Sequence, residues 1–468
     1  MSSSTRLLVK NILALSDRSV LGDCSDLVAC LPVYGEAIFL QFKKDIDKSG
    51  IIQYNDWIGG TGLKILMLGW ELPPHNSGGL GVACYHLAKS LAKAGANISF
   101  VLPYTAKHDV DFMEIIHATS LDPIHRFGAS AYDSKNITSD IIEGKELGER
   151  LSLRDIQRFY GDFVDKHVEG KDFDVIHSHD WLTLEAGAIA KRKLGVPLIA
   201  HVHATEFDRG DLEHGGNPII HEIEREGLLL ADKIIAVSQM TKDLIVAKYN
   251  IPDDKIEVAH NGPNPIDRDY QFENSNYQFL EKKKQAGWAV VSAIARLTVQ
   301  KGLSHLIRAT AMATKFNPKI ILLIAGDGEL RDELLELSAD LGIAKNVAFT
   351  GFVRGQELRD IYAISDIFVM SSRSEPFGIT ALEAASSDNA VILTKQSGVS
   401  EVLLNVLRYD YWDEKRLAEL LVATSGSTAL TTEMKINVTK EYLKISWNDI
   451  AKKIMDIYNK TMQRRRNY

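Results

Sequence analysis

Ser374-Glu375-Pro376-Phe377-Gly378-Ile379-Thr380-Ala381-Leu382-Glu383-Ala384-Ala385 joins an apolar run to a run of helix formers. The preceding Asp366-Ile-Phe-Val-Met-Ser is β-rich and reads as a buried parallel strand. The chain therefore leaves a strand, turns through Pro376 and Gly378, and starts a helix near Thr380. The first-turn N–H groups of such a helix are unpaired and sit at its positive end, so they attract an anion such as phosphate. Gly378 lets that anion approach the backbone. Glu375 lies just before the anion site, and Glu383 follows eight positions later, about two helical turns away. Two carboxylates flanking a phosphate cradle suit a ligand with hydroxyls at both ends of a diphosphate, the shape of a nucleotide sugar. An ordinary strand–turn–helix unit with solvated glutamates is the plain alternative for either residue alone.

Working outward, Ala289-Val-Val-Ser-Ala-Ile-Ala-Arg-Leu is another strand, leading into Thr298-Val-Gln-Lys-Gly-Leu and a helix from about Ser304. Arg296 and Lys301, in an Arg-x4-Lys-Gly pattern at a strand's carboxyl end, offer a planar fork and a compact charge to phosphate oxygens. Lys319 to Gly328 and Asn346 to Val353 read as strands, and Gln356 to Ile364 as a helix. Strands alternating with helices predict an α/β domain with a parallel sheet. Its amino-terminal border is a polar connector over Pro263 to Gly287, and a long amphipathic helix spans about Trp447 to Met462.

The same alternation fills the first half. Leu63-Lys-Ile-Leu-Met-Leu-Gly leads through Glu71-Leu-Pro-Pro-His-Asn-Ser into Gly78-Gly79-Leu80-Gly81, with helical periodicity from Val82 to Ala94. Glycines there free backbone amides to approach a ligand, although a tight strand-to-helix turn has the same composition. Phe173 to Trp181 and Pro197 to Arg209 are strands whose carboxyl ends carry His177, His179, Asp180, His201 and His203. Ligands of open α/β sheets bind at that edge. The four histidines invite a metal, but no pair has helical ligand spacing, so no metal site is expected. Residues 119 to 148 are polar and predict a loop or excursion, and residues 1–60 carry no motif.

A chain of 468 residues holds two ordinary domains, and 45% hydrophobic with 25% charged residues is a globular composition. The net charge of −8 argues against a nucleic-acid partner. Cys24, Cys30 and Cys84 make neither a disulfide framework nor a metal pattern, so a cytoplasmic setting is expected. No apolar run is long enough to cross a bilayer, so no transmembrane segment is expected. A peripheral membrane contact stays open.

Gly-Gly-Leu-Gly at 78–81, His-Asp-Trp at 179–181, Val-His at 202–203, Ala-Arg-Leu-Thr-Val-Gln-Lys-Gly at 295–302, Gly-Asp-Gly at 326–328 and Glu375-x7-Glu383 occur in this order. Together they resemble the retaining glycosyltransferases of the GT-B fold, family 4 and its relatives the glycogen and starch synthases, over roughly residues 63 to 462. The resemblance implies two Rossmann-like, doubly wound domains facing across a cleft. These would be an acceptor domain over 61–270 and a nucleotide-sugar domain over 285–445. Residues 1–60 would form an N-terminal extension, and 446–468 a helix crossing back to the first domain. It implies that Arg296 and Lys301 hold the diphosphate and that Gly378, Ile379 and Thr380 meet phosphate. Glu375 would meet sugar hydroxyls, Glu383 the ribose, and Gly79 and Gly81 the donor. His203 resembles the family's histidine near the transferred sugar, and Asp180 its acidic residue on the acceptor side. His75, Asn76 and Ser77 stand where bacterial glycogen synthases carry a lysine, and Glu383 stands where they lack a carboxylate. Both differences favour family 4 over an ADP-glucose enzyme. The implied activity is transfer of a hexose, glucose first, from a nucleotide sugar to an acceptor hydroxyl, with an α-glucan among the candidate acceptors. The nucleotide sugar serves as substrate, and no cofactor is expected. An epimerase or an inactive sugar-binding protein on the same scaffold is the alternative. An epimerase would not call for this Arg/Lys pair with Glu-x7-Glu, and an inactive module would have lost charged positions.

Overall fold

The computed structural model describes residues 62–74, 78–118, 153–210, 215–264 and 277–466. The expectations for residues 1–60 and for the polar stretch 119–148 lie outside the described residues.

The first half builds a parallel sheet from β1 (Lys64–Leu68), β2 (Asn97–Leu102), β3 (Glu114–His117), β4 (Val175–His179), β5 (Leu198–Val202), β6 (Lys233–Ala236) and β7 (Ile256–Val258). Its order is β3-β2-β1-β4-β5-β6-β7. The helices are α1 (Gly79–Lys93), α2 (Leu153–His167), α3 (Trp181–Leu194), the single turn α4 (Glu206–Arg209), α5 (Pro218–Leu230) and α6 (Gln239–Tyr249). Both sheet faces are covered, because alternate residues of β1 enter different cores. Leu66 and Leu68 pack with α2 and α3, while Ile65 and Met67 pack with α1. That two-sided burial is why β1 reads as one continuous apolar run.

The second half repeats the plan. Its parallel sheet runs β10 (Val347–Gly351), β9 (Ile320–Ala325), β8 (Ala289–Ile294), β11 (Ile367–Met370), β12 (Ala390–Thr394), β13 (Leu407–Tyr409). The helices are α7 (Gln278–Gln285), α8 (Leu303–Ala313), α9 (Arg331–Asp340), α10 (Gln356–Ile364), α11 (Ile379–Ser386), α12 (Glu414–Gly426), α13 (Thr428–Tyr442) and α14 (Trp447–Arg466). In α14 the side chains of Trp447, Ala451, Ile454 and Tyr458 join the core of the first sheet against α1. Their helical spacing makes one apolar stripe.

Two local expectations differ from the structure. Part of the polar connector is helical, since Tyr277 and Leu280 insert into the second lobe's core and anchor α7 despite its lysines. The glycine-rich loop is shorter than expected, because α1 already starts at Gly79. These glycines take helical geometry because Leu80 and Cys84 are drawn into the core.

Each sheet reverses its winding direction once, between β1 and β4 and between β8 and β11. A crevice opens at such a switch point beyond the strands' carboxyl ends.

Candidate active site

The two crevices join into one cavity of about 280 Å³ between the lobes. Its walls come from the residues that follow the switch-point strands. Glu71 follows β1, Asp180 follows β4, Arg296 follows β8 and Glu375 follows β11. His203 arrives after β5, on the side opposite Lys301 and the N-terminus of α11.

On the second lobe, Gly378 caps α11 with φ 111°, and a Cβ there would press on Met370 Cε at 2.9 Å. Only glycine suits both demands. The turn leaves the first amides of α11, at Ile379 and Thr380, beside the cavity they line. Lys301 is held in place by its own backbone. Gly302 is left-handed at φ 60°, and a Cβ there would stand 2.1 Å from the Ser371 carbonyl. The Ser371 hydroxyl donates to the Lys301 carbonyl at 2.8 Å. The Lys301 ammonium meets Glu375 Oε2 at 2.7 Å, and the Ser372 hydroxyl donates to the same oxygen at 3.0 Å. A cation, a carboxylate and a helix N-terminus thus share one wall, an arrangement that can bind a diphosphate beside a hydroxyl-bearing group.

Across the cavity Asp180 is a non-glycine residue at φ 57°, starting α3. Its Oδ1 accepts from the backbone N–H of His203 at 2.6 Å and of Ala204 at 3.3 Å. Asp180 therefore fixes the turn that presents His203, a role the sequence does not reveal. Glu383 sits behind the wall. It is 6% exposed and accepts from the Tyr362 hydroxyl at 2.7 Å and from the Asn264 amide at 3.0 Å. Burial raises its pKa. Gly81 lies inside the first turn of α1 and is buried, while Gly79 lines the cavity.

Sequence reasoning missed several groups. Glu71 is buried, and its Oε2 accepts from Gly78 N–H at 3.3 Å while Oε1 has no hydrogen-bond partner. Burial pushes its carboxyl up to about 7, against the pull of Gly78 N–H and Arg296. Arg209 lines the cavity and pairs with Glu206 at 3.2 Å and Glu224 at 3.0 Å. The lobes are also bonded directly. The Ser374 hydroxyl donates to Asp208 at 2.6 Å, and Glu401 accepts from the N–H groups of Gln239 at 2.9 Å and Met240 at 3.1 Å. A glutamate inside the glycine-loop motif could have been flagged, but nothing in the sequence pairs Ser374 with Asp208.

Parallel pairing of β4 with β5 sets His179 beside His201, and the period of two puts His177 and His203 on the same sheet face. His177 and His179 stack at 4.4 Å, and His201 and His203 at 4.2 Å. Burial lowers the pKa of all four, that of His177 to about 3, so they are neutral at pH 7. Among the described residues two groups have metal-ligand proximity, His177 with His179 and His201, and Cys84 with His179 and His203. The expectation of no metal rested on sequence spacing, which cannot show this convergence.

Two family models tile both lobes: Glycosyltransferase Family 4 over residues 77–265 and Glycosyl transferases group 1 over residues 278–406. The chain belongs to the GT-B glycosyltransferases. This glycosyltransferase is 29% identical over 412 residues to an uncharacterized glycosyltransferase of Methanocaldococcus jannaschii, covering 86% of this chain and 99% of that one. It is 26% identical over 357 residues to a glycogen synthase of Mycobacterium tuberculosis, covering 73% and 80%. Among solved structures it matches Anabaena HepE in complex with UDP and glucose. The TM-score is 0.61 at 20% identity, covering 85% of this chain and 99% of that one. Among the described residues no helix is long and apolar enough to cross a membrane.

Proposed function

We propose that this glycosyltransferase moves glucose from a nucleoside diphosphate sugar to a hydroxyl of an α-glucan with retention of configuration. One observation carries the proposal: Lys301, Arg296 and the start of α11 share a cavity with His203 and Asp180 from the other lobe. The first group suits the diphosphate, and the second faces where the sugar and acceptor would lie. As the glycosidic bond breaks, negative charge grows on the β-phosphate while the sugar becomes oxocarbenium-like. Lys301, Arg296 and the amides of Ile379 and Thr380 stabilise the first change. Glu375 orients sugar hydroxyls and, through its ion pair, keeps Lys301 at the phosphate. In a retaining transfer the departing phosphate oxygen takes the acceptor's proton on the same face of the sugar. His203, neutral at pH 7, offers a hydrogen bond to the sugar rather than a second positive charge. The glycogen synthase relative and the glucose-bound structural neighbour support glucose and a glucan as the substrates. Thermal unfolding with UDP-, ADP- and GDP-glucose tests donor binding, since a ligand at a hundred times its Kd stabilises by about 2.7 kcal/mol. One nucleotide sugar is expected to raise the midpoint well above the others, and no shift with any of them would contradict the proposal.

A further inference from the structure

We propose that Cys84, His179 and His203 bind a zinc ion at the floor of the cleft, and that the bound ion inhibits transfer by taking His203 from the sugar. The inhibitory part rests on the function proposed above, whereas the metal site stands on geometry alone.

The Cys84 thiol is a free, fully buried group of α1, turned toward the sheet face that carries the histidines. One ligand atom from each of Cys84, His179 and His203 lies within 4.8 Å of the other two. At zinc bond lengths of about 2.0–2.3 Å, tetrahedral ligand atoms stand roughly 3.3–3.7 Å apart. The set closes onto an ion with side-chain rotations on the order of 1 Å. His179 Nδ1 already faces His203 Nε2 at 3.0 Å. Two imidazole nitrogens that close are held either by one shared proton or by a common metal.

The outer ring nitrogens, His179 Nε2 and His203 Nδ1, are buried without a hydrogen-bond partner, so either can carry its ring's proton while the two facing nitrogens turn to an ion. Only a metal engages the two rings and the thiol together. Zinc matches a mixed nitrogen and sulfur donor set in four-coordinate geometry. The second cluster is a poorer candidate. His177 has both nitrogens engaged, by Tyr458 and by His201 Nδ1, and that cluster is fully buried. His203, by contrast, lines the cleft. The cleft gives the ion an entry path and leaves its fourth position open to water.

Binding exchanges one proton. The Cys84 thiol becomes a thiolate bonded to zinc, and its proton leaves to solvent through the cleft. His179 ligates through Nδ1 and His203 through Nε2, so the ring that donates in their present hydrogen bond moves its proton to its outer nitrogen, and each imidazole stays singly protonated.

The test uses the full-length protein, stripped of metal and titrated with cobalt(II), then with zinc. A thiolate-to-cobalt charge-transfer band is expected, displaced by about one equivalent of zinc. Cys84→Ala and Cys84→Ser are both expected to lose that band and to bind zinc about tenfold or more weakly. His201→Gln is expected to keep both the band and the affinity. In the transfer assay, zinc is expected to inhibit the wild type. Both Cys84 variants should resist it while keeping their metal-free rate. A folded wild type without the band overturns the site, as does zinc affinity that follows His201 rather than Cys84. The spectroscopic arm needs neither donor nor acceptor, so a wrong substrate leaves it intact. A wrong metal site likewise leaves the transfer assay intact.

Discussion

Replacing Glu375 by glutamine removes one charge at the wall of the cleft and little volume. Its carboxylate lies 2.7 Å from the Lys301 ammonium, with both side chains 15% exposed. Coulomb's law at an effective dielectric of 20 gives a gross attraction of about 6 kcal/mol at that separation. Desolvation of the pair offsets much of it, so the net loss of stability is expected to be about 1 kcal/mol. The loss in the transition state is larger, because there Lys301 must stay at the leaving phosphate and a carboxylate must answer the developing sugar cation. Removal of one preorganised electrostatic contact of this kind is worth on the order of 3 kcal/mol, or roughly a hundredfold in rate. Release of nucleoside diphosphate under saturating donor and acceptor measures the rate, and urea unfolding measures the stability. A variant that keeps more than about a third of wild-type turnover would refute the role given to Glu375.

Further outcomes follow from the same geometry. Glu383→Ala is expected to raise the Michaelis constant for donor more than it lowers turnover, because Glu383 braces Tyr362 and Asn264 behind the wall. An unchanged Michaelis constant with depressed turnover would reverse that assignment. For Glu71 the folded pKa of about 7 lies above the 4.5 of a free glutamate, so the folded state holds the extra proton between them. Its contribution to stability therefore falls as pH rises through that window. From pH 5 to pH 8 the stability of Glu71→Gln is expected to gain on the wild type by up to about 3 kcal/mol. A difference that does not change with pH would contradict the assignment. Arg296→Ala and Lys301→Ala are each expected to remove most activity, and added magnesium or manganese should not restore it. Recovery with either ion would mean that the phosphates are held by metal.

Much of the fold was legible because buried parallel strands leave long apolar runs, and the residues after β4, β8 and β11 carry unmistakable polar clusters. His203, Asp180, Arg296, Lys301, Glu375 and Thr380 all come to one cavity because each follows a strand near a switch point. What stayed hidden depends on contacts between distant segments. No spacing announces that Asp180 holds the backbone of His203, or that Ser374 reaches Asp208 on the other lobe. The histidine stack depends on the β4–β5 register, which a period of two along each strand leaves open. Glu383 keeps the spacing expected for a ligand group, yet protein donors engage both its oxygens. The helix α7 escaped notice because one buried Tyr277 and one buried Leu280 outweigh its run of lysines.

The most direct test supplies the stripped protein with glucose-labelled UDP-, ADP- and GDP-glucose in turn, together with an α-1,4-glucan oligosaccharide, and follows the labelled anomeric carbon by NMR. The account predicts that one donor yields a lengthened glucan whose new linkage has the α configuration of that donor. A β-linked product, or labelled donor left untouched in all three mixtures by the folded protein, would contradict it.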